Sequence, residues 1–338
     1  MGNDTLILGI ETSCDDTSAA VVLNGVTVCS NIISSQETLH RRFGGIVPEV
    51  ASRRHLEVIN HIIDEAMSQA EVQFSDLAGI AVTYGPGLVG SLLIGVSTAK
   101  ALAYSLDLPL IGVNHIEGHI YANFLTGVKV IFPALCLVVS GGHTNILYLK
   151  EHGEIHVLGR TRDDAAGEVF DKIARALGLG FPGGPPIDAL AEEGDPLSYS
   201  FPRAMLGEDG KFDFSFSGVK TSVLNCIHKE KASGKKVDLR HITAAFQAAV
   251  VDVLLEKSLL AVQKTGVRRV LLAGGVAANK GLRRRFRERL EKEKIEFIYP
   301  PAELCTDNAA MIASAGYFRF RKGIMASYDL NAEPSLDL

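Results

Sequence analysis

Cysteine is scarce and scattered in this chain of 338 residues. The number is odd and no two cysteines form a CxxC pair; the five are Cys14, Cys29, Cys136, Cys226 and Cys305. This distribution excludes a disulfide framework and a zinc ribbon, because both need paired cysteines. We expect reduced thiols that pack inside the fold.

The chain also lacks a basic excess and an uninterrupted apolar run. Lys and Arg total 34 against 39 Asp and Glu, which gives a formal net charge of -5. A nucleic acid would therefore have to be held by a local basic patch or by another protein. Residues 91–113 form the longest apolar stretch, but Lys100 and Asp107 interrupt it, so we predict no membrane span.

Two arginine clusters are candidates for such a basic patch. The first is mixed with glutamates, which is typical of a solvated helix face with ion pairs; its members are Arg283, Arg284, Arg285, Arg287 and Arg289. The second flanks a Gly-Gly turn and consists of Arg41, Arg42, Arg53 and Arg54.

The amino-terminal segment MGNDTLILGIETS carries no targeting signal. It has no basic n-region and no cleavage-type site, and Leu6 stands where a myristoylation signal needs Ser or Thr. We expect a cytoplasmic protein.

Apolar runs alternate with segments of helical period along most of the chain, which indicates an α/β fold. A hydrophobic content of 47% supports one large or two medium domains. The predicted strands are LILGI, AAVVL, GIAVTY, LPLIGV, ALCLVV, ILYL, VLLAGG and FIYP. The predicted helices lie around Glu49–Ala70, Ser91–Ser105, Glu168–Leu177, Ile242–Lys264, Asn279–Lys294 and Asn308–Arg321.

Two pairs of segments with the same predicted order of elements indicate a duplicated architecture. LILGIETSCDDTSAAVVLNG and LCLVVSGGHTNILYLKEHG each predict strand, small polar turn and strand. We expect the turn residues Thr12, Ser13, Ser140, Gly141 and Gly142 to offer hydroxyls and backbone N–H groups to a phosphate. GIAVTYGPGLVGSLLIGVSTAKAL and RRVLLAGGVAANKGLRRRF each predict strand, glycine turn and helix. A single glycine turn is most simply a tight turn, but four in duplicated order favour a nucleotide-binding cleft.

The piece HIEGH places two histidines on one face of a predicted helix. His115 and His119 are four residues apart, slightly more than one turn. Asp307 precedes a later helix and completes a set of two imidazoles and one carboxylate. That set suits non-haem Fe²⁺, and Zn²⁺ also accepts it. Glu117 lies midway between the histidines, where neither peptidase arrangement places its glutamate. Two residues from each histidine, it is predicted to point to another side of the helix.

Two carboxylates lie beside the glycine turn FPGGPPID. Asp171 is predicted near the start of one helix, and Asp188 is predicted beyond the turn. They either stabilise a first helical turn or bind hydroxyl groups of a ribose or amino-acid-like ligand. The residues alone leave both interpretations open.

Eight motifs in order, between about Leu6 and Gly316, carry a resemblance to one family. They are GIETSCDDTSAAVV, YGPGLVGSLLIGVSTAKALA, NHIEGHIYAN, LVVSGGHTNI, DAAGEVFDKIARALGLGFPGGPPID, FSFSGVKT, AGGVAANKGLR and CTDNAAMIASAG. The chain resembles the universal tRNA N6-threonylcarbamoyladenosine transferases, formerly described as glycoproteases.

The resemblance implies a duplicated actin-like fold, related to sugar kinases and Hsp70, with a central nucleotide cleft. The first lobe would comprise residues 1–132 with 307–330, and the second residues 133–306. The implied reaction moves a threonylcarbamoyl group from threonylcarbamoyl-AMP to N6 of adenosine 37 in tRNAs that read A-starting codons.

The resemblance also implies roles for particular residues. The ligands of one divalent metal, Fe²⁺ in preference to Zn²⁺, would be His115, His119 and Asp307. The substrate pocket would be lined by Val138, Val139, Ser140, Gly141, Gly142, Asp171, Gly184, Asp188 and Asn279. The pattern identifies no general base.

Partners follow from the same resemblance: a degenerate paralogue and a small ATPase in bacteria, or a kinase-like subunit otherwise. Three other functions compete. An ATP-dependent kinase or ATPase of the same fold would not need the histidine pair. A metallopeptidase is disfavoured by the position of Glu117. The third is a structural subunit that binds nucleotide and scaffolds other proteins.

Overall fold

A computed structural model describes residues 4–206, 211–234 and 237–338 of the chain. Residues 1–3, the start of the segment on which the expectation of a cytoplasmic protein depends, lie outside them. The described residues pack into two compact units. Unit 1 takes those of Met1–Val130 and Pro300–Leu338, and unit 2 takes those of Ile131–Tyr299.

Each unit contains one five-stranded mixed sheet. The strands are β1 (Leu6–Glu11), β2 (Asp16–Leu23), β3 (Thr27–Ser35), β4 (Leu77–Gly85), β5 (Leu110–Asn114), β6 (Ala134–Val139), β7 (Thr144–Glu151), β8 (Glu154–Arg160), β9 (Arg269–Ala273) and β10 (Glu296–Ile298). The order is β3-β2-β1-β4-β5 in unit 1 and β8-β7-β6-β9-β10 in unit 2. In both sheets the first three strands are antiparallel and the last two add in parallel.

The described residues form ten α-helices. They are α1 (Glu37–Arg41), α2 (Pro48–Gln69), α3 (Val89–Leu106), α4 (His115–Tyr121), α5 (Ala166–Leu177), α6 (Gly184–Ala191), α7 (Ser217–Ala232), α8 (Leu239–Thr265), α9 (Lys280–Lys292) and α10 (Ala309–Arg321).

The repeated strand order confirms the predicted α/β class and the predicted duplication. All eight predicted strands are present, but β3 and β8 were not predicted. Both are third strands of a meander and lie at a sheet edge, with side chains that are mostly only partly buried. An edge strand that faces solvent carries little of the apolar pattern that predicts strands.

The helix predictions differ from the structure around the turn FPGGPPID. Helix α5 begins at Ala166, two residues before the predicted start, so Asp171 lies in its middle and not in its first turn. The second half of the predicted turn is helix α6, which contains Asp188. Pro185 and Pro186 do not prevent this helix, because proline is tolerated in a first helical turn. Helices α1 and α7 were also not predicted.

Helices cover both faces of the unit 1 sheet. Leu8 and Ile10 of β1 belong to the buried core that also includes side chains of α2 and α3. Gly9 points to the other face, where a Cβ would lie 2.3 Å from the carbonyl oxygen of Ala309 and 2.7 Å from the backbone nitrogen of Ala313. Glycine at this position therefore allows α10 to pack directly on β1.

Helix α3 corresponds to the long apolar stretch of the sequence. Among the described residues it is the one helix long and apolar enough to cross a membrane, judged by length and composition alone. One of its faces is buried, with Val96, Ala99 and Ala103 in the core that also contains Leu8 and Ile10 of β1.

The contact of α10 with β1 yields a stability prediction. Replacing Gly9 with Ala forces a methyl group against helix backbone, which cannot move aside, so we expect the free energy of unfolding to fall by about 1–3 kcal/mol or more. Gly218→Ala in α7 is the control, because a Cβ there meets no atom within 4 Å. Equal urea midpoints for the two variants would contradict this account of the packing.

Candidate metal centre and substrate-binding turns

The three residues predicted as metal ligands lie together in unit 1. Nε2 of His115 is 3.5 Å from Oδ1 of Asp307, and Nε2 of His119 is 3.4 Å from the same oxygen. One ligand atom from each residue lies within 4.8 Å of the other two. Two bonds of about 2.1 Å that meet at a metal at 90–110° separate their donor atoms by about 3.0–3.4 Å, so the spacing suits one shared ion.

The histidines are delivered by the end of a parallel strand. Strand β5 stops at Asn114, whose side-chain oxygen accepts a hydrogen bond from the backbone N–H of Ile116 and caps α4. Helix α4 then turns His115 and His119 to the same face. Gly118 between them lets the helix approach α10, because a Cβ there would lie 2.6 Å from Cδ1 of Ile312.

The carboxylate comes from the segment before α10. Asn308 caps this helix by accepting a hydrogen bond from the backbone N–H of Met311, and Asp307 directly precedes the cap. The motif CTDN therefore fixes Asp307 next to the first turn of a buried helix. The carboxyl end of the parallel strand β5 and the start of α10 form this site, and sites of α/β proteins commonly lie at such strand ends.

A second carboxylate, Glu11, was not predicted to take part. It ends β1 and is fully buried, and its Oε2 lies 3.0 Å from Nδ1 of His115. Its two oxygens also accept hydrogen bonds from the hydroxyl of Thr83 and the backbone N–H of Ser13. A carboxylate on the second ring nitrogen orients a ligating histidine and leaves Nε2 free for a metal. The one available signal was an acidic residue at the end of an apolar strand.

Ser13 and Thr12 differ in what their hydroxyls do. Oγ of Ser13 lies 3.1 Å from Nδ1 of His115, so this hydroxyl belongs to the metal centre. The hydroxyl of Thr12 is buried and donates to the carbonyl of Ser91. The sequence interpretation that Thr12 offers its hydroxyl to a phosphate is therefore wrong.

The surroundings of His119 fit a metal ion. Its side chain is 1% exposed, and neither ring nitrogen has a hydrogen-bond partner within the described residues. A buried polar group without a partner costs free energy, which a metal bond to Nε2 would offset. The arrangement is consistent with one divalent metal held by His115, His119 and Asp307.

The two histidines differ in the direction in which their surroundings shift the pKa. Burial lowers the pKa of His115, but the carboxylates of Asp307 and Glu11 outweigh it and raise the pKa to about 9. Burial lowers the pKa of His119, and Asp307 offsets this only in part. Burial raises the pKa of Glu11, yet the charge of His115 and its hydrogen bond bring that pKa below its ordinary value. Near pH 7 we therefore expect a cation that binds here to displace a proton from His115, because ligating histidines must be neutral.

Glu117 points away from this centre, as the helical spacing predicted. Its carboxylate is buried and lies 2.8 Å from Nη1 of Arg319 on α10. Burial raises the pKa of Glu117, and the guanidinium opposes that shift. Glu117 therefore fastens α4 to α10.

In unit 2, the turn Ser140–Gly142 presents open backbone. The N–H of Ser140 donates to the carbonyl of His143, and the Ser140 hydroxyl accepts from the N–H of His143, which closes the turn. Gly141 and Gly142 are exposed, and a Cβ on either would meet no atom within 4 Å. Gly167, in the first turn of α5, donates to the carbonyl of Ser140. The turn thus lies at a helix amino terminus, a favourable place for an anion.

Asp188 and Asn279 are brought together through Gln247, which the sequence did not predict. Nε2 of Gln247 donates to Asp188 at 3.1 Å, and Oε1 of Gln247 accepts from Asn279 at 2.7 Å. Asp188 also accepts from the backbone N–H groups of Lys280 and Gly281, and Asn279 caps α9. Both predicted pocket residues therefore support the start of α9.

The remaining predicted pocket residues lie near these turns or under them. Asp171 accepts a hydrogen bond from the N–H of Gly183 at 2.7 Å, and Gly184 is the first residue of α6. The side chains of Val138 and Val139 are fully buried in β6. These two valines can contribute only backbone to a pocket, together with the support of the turn that follows.

The sequence of this chain is similar to those of known enzymes over most of its length. The sequence profile of the family described as tRNA N6-adenosine threonylcarbamoyltransferase matches residues 27–314. The chain belongs to this family. A relative with that name from Desulfitobacterium hafniense (strain Y51) is 57% identical over 335 residues, which cover 99% of this chain and 98% of the relative. Another, from Geobacillus kaustophilus (strain HTA426), is 58% identical over 339 residues, with 100% and 98% covered.

Solved structures resemble this member of the threonylcarbamoyltransferase family in fold. Full-length HypF in its phosphate- and nucleotide-bound form matches with a TM-score of 0.63 at 15% identity, over 94% of this chain and 55% of HypF. The activator of 2-hydroxyisocaproyl-CoA dehydratase from Clostridium difficile matches with a TM-score of 0.52 at 14% identity, over 94% and 97%. The predicted actin-like fold is confirmed.

Substitutions in the metal centre should separate ligands from neighbours. His115→Ala, His119→Ala and Asp307→Ala each leave two ligands, so we expect at least about a hundredfold weaker metal binding. Glu117→Gln should keep its metal, because Glu117 contacts Arg319 instead. Elemental analysis after dialysis measures the metal content of the ligand variants and of Glu117→Gln. Metal loss in Glu117→Gln with retention in the histidine variants would refute the assignment.

The raised pKa of His115 predicts how metal affinity depends on pH. Below about pH 9 a metal competes with the proton on His115, so apparent affinity should rise about tenfold for each pH unit as that proton becomes easier to displace. Calorimetry in buffers of different ionisation enthalpy should detect about one proton released near pH 7. Glu11→Gln, which weakens the hold on that proton, should lower the release. Binding independent of pH would contradict the account.

Proposed function

We propose that this chain transfers the threonylcarbamoyl group of threonylcarbamoyl-AMP to N6 of adenosine 37 in tRNAs that read A-starting codons, which gives t6A and AMP. The observation that carries the proposal is a group of two buried histidines, His115 and His119, and the partly buried Asp307 in a member of the threonylcarbamoyltransferase family. The relatives' shared name supports tRNA as the substrate.

The reaction needs orientation more than a covalent nucleophile. The carbonyl of a mixed anhydride is already activated. The N6 amine forms the new C–N bond, the C–O bond to phosphate breaks, and the amine loses a proton as AMP leaves with the electron pair. No water has to be activated, so a glutamate placed as in peptidases is not required.

We propose that this centre binds Fe²⁺ in preference to Zn²⁺. Two imidazoles and one carboxylate with open coordination positions are typical of non-haem Fe²⁺ sites, although Zn²⁺ accepts the same ligands. When bound, a divalent metal supplies Lewis acidity at the carbonyl. Glu11 and Ser13 hold His115 in the orientation that directs its Nε2 toward Asp307.

We place the adenylate on unit 2. The exposed backbone of Gly141 and Gly142 with the start of α5 offers N–H groups and a favourable dipole for the phosphate. Asp171, Gly184 and the network of Asp188, Gln247 and Asn279 are proposed to shape the rest of the pocket, with Val138 and Val139 supporting it from β6.

Other functions lack such support. A peptidase would need Glu117 as a base, but that carboxylate is paired with Arg319. A kinase or ATPase of the same fold does not require a buried histidine whose ring nitrogens form no hydrogen bond among the described residues and whose Nε2 lies close to Asp307. A purely structural subunit does not require such a histidine either.

We further propose a cytoplasmic protein that acts with helper proteins. These are a degenerate paralogue and a small ATPase if the source is bacterial, or a kinase-like subunit otherwise. Unit 1 offers exposed apolar side chains on two adjacent helices, Leu56 on α2 and Val89, Leu93 and Tyr104 on α3.

A reconstituted transfer assay tests the proposal. The chain is mixed with its helper proteins, the adenylate-forming enzyme, tRNA, threonine, bicarbonate and ATP, and the tRNA nucleosides are analysed. We expect t6A only when the chain is present, and the His119→Ala variant should lose it. Formation of a phosphorylated small molecule or a cleaved protein in place of t6A would reject the proposal.

The turn in unit 2 yields a separate prediction. Gly141→Val adds a branched side chain at an exposed position where a Cβ meets no atom within 4 Å, so the melting temperature should stay near that of the original protein. The same side chain blocks close approach of a phosphate, so affinity for a non-hydrolysable adenylate should fall by at least about tenfold. Gly218→Val in α7 is the control. Unchanged adenylate affinity in Gly141→Val would exclude this turn.

A further inference from the structure

The segment that joins β3 to α2 carries an exposed aromatic ring directly after two arginines. Phe43 is 58% exposed and lies between Arg42 and Gly44. Arg42 and, on the second turn of α2, Arg53 are also exposed. We call Arg42, Phe43 and Arg53 the RFR patch.

A buried histidine gives this segment a defined conformation. The His40 side chain is fully buried, and its Nδ1 accepts a hydrogen bond from the N–H of Val47. The His40 carbonyl accepts from the N–H groups of Phe43 and Gly45. Nε2 of Gln36 donates to the carbonyl of Ala51, which ties the start of α1 to the first turn of α2. Phe43 is therefore exposed on an anchored loop.

The two arginines of the RFR patch differ from their neighbours in charge pairing. Arg41 pairs with Glu37, and Arg54 pairs with Glu57 at 3.0 Å. Across residues 4–206, 211–234 and 237–338, neither Arg42 nor Arg53 has an acidic partner within 4 Å. Two unpaired guanidinium groups and an exposed ring within residues 42–53 are suited to phosphates and a stacked base.

The other arginine cluster does not share this property. On α9, Arg285 pairs with Asp252, and Arg289 pairs with Glu256 and Glu293. Arg283 and Arg287 lie over the ring of Tyr299. Most of that cluster is already engaged within unit 2, as the pattern of mixed charges predicted.

The RFR patch is linked to the metal centre through few residues. His55, one turn after Ala51 on α2, has its Nε2 3.0 Å from the carbonyl oxygen of Cys14. The next residue toward the amino terminus, Ser13, contacts Nδ1 of His115. A nucleic-acid loop bound at the patch would thus lie on the same unit as the candidate metal centre.

We propose that the RFR patch binds the anticodon loop of the tRNA substrate, with Phe43 stacked on a base beside the target adenosine and Arg42 and Arg53 on loop phosphates. This inference rests on the proposed function. Loop bases of RNA are unstacked and accessible, and proteins bind them by aromatic stacking. The net charge of -5 makes such a local patch necessary if the chain itself holds tRNA.

Steady-state transfer by the full chain with its helper proteins tests the inference. Phe43→Ala should lower kcat/KM for tRNA by about tenfold, while Phe43→Trp should restore it and Phe43→Leu should not, because stacking needs a ring. Arg42→Gln and Arg53→Gln should raise KM for tRNA. Each should also reduce the slope of log affinity against log salt by about one, measured by fluorescence anisotropy.

Matched controls remove the same charge where it is already paired. Arg54→Gln lies beside the patch and Arg285→Gln lies on α9, and both should keep KM within about twofold and leave the salt slope unchanged. Metal content and melting temperature should match the original protein in all variants, because the altered side chains are exposed.

The outcomes separate the two proposals. If the original protein forms t6A and Phe43→Ala performs equally well, the RFR patch is rejected and the proposed function stands. If the variants lose transfer only because a helper protein no longer binds, as gel filtration would show, the patch is a protein-docking surface and the inference is wrong. If the original protein forms no t6A, the proposed function fails, and the anisotropy data alone judge whether the patch binds tRNA.

Discussion

A buried imidazole without a hydrogen-bond partner is the constraint on which the candidate centre of unit 1 depends. His119 lies on α4 and is 1% exposed, and Oδ1 of Asp307 lies 3.4 Å from its Nε2. Burying ring nitrogens without hydrogen bonds costs free energy, and a bond from Nε2 to a metal ion would offset that cost. Glu11 behind His115 and Arg319 beside Glu117 then have clear tasks: the first orients a ligand, and the second holds α4 in place.

The sheets of the two units share one strand order but carry different residues at the ends of their strands. In unit 1, the ends of β1 and β5 carry acidic and imidazole side chains, which suit a cation. In unit 2, the corresponding β6 is followed by a serine and two exposed glycines, which suit a phosphate. The same strand order thus carries a cluster of titratable side chains in unit 1 and an open backbone turn in unit 2.

Sequence reasoning could predict the parts of the fold whose pattern is local. The central strands are apolar and flanked by turns, so their periodicity sufficed, whereas β3 and β8 face solvent at sheet edges. The spacing of His115 and His119 is visible on any helix, but the role of Glu11 depends on the pairing of β1 with β4 and of β4 with β5. Likewise Gln247 joins Asp188 to Asn279 across long sequence separations that leave no local signal.

The coordination of a bound metal tests the central claim most directly. X-ray absorption at the metal edge of protein loaded with Fe²⁺ or Zn²⁺ counts imidazole ligands and distinguishes oxygen or nitrogen from sulfur. The account predicts two imidazoles at about 2.0–2.1 Å with the remaining ligands oxygen, and the loss of one imidazole in His119→Ala. A shell that contains sulfur at about 2.3 Å, or a spectrum unchanged by His119→Ala, would contradict the assignment of His115, His119 and Asp307.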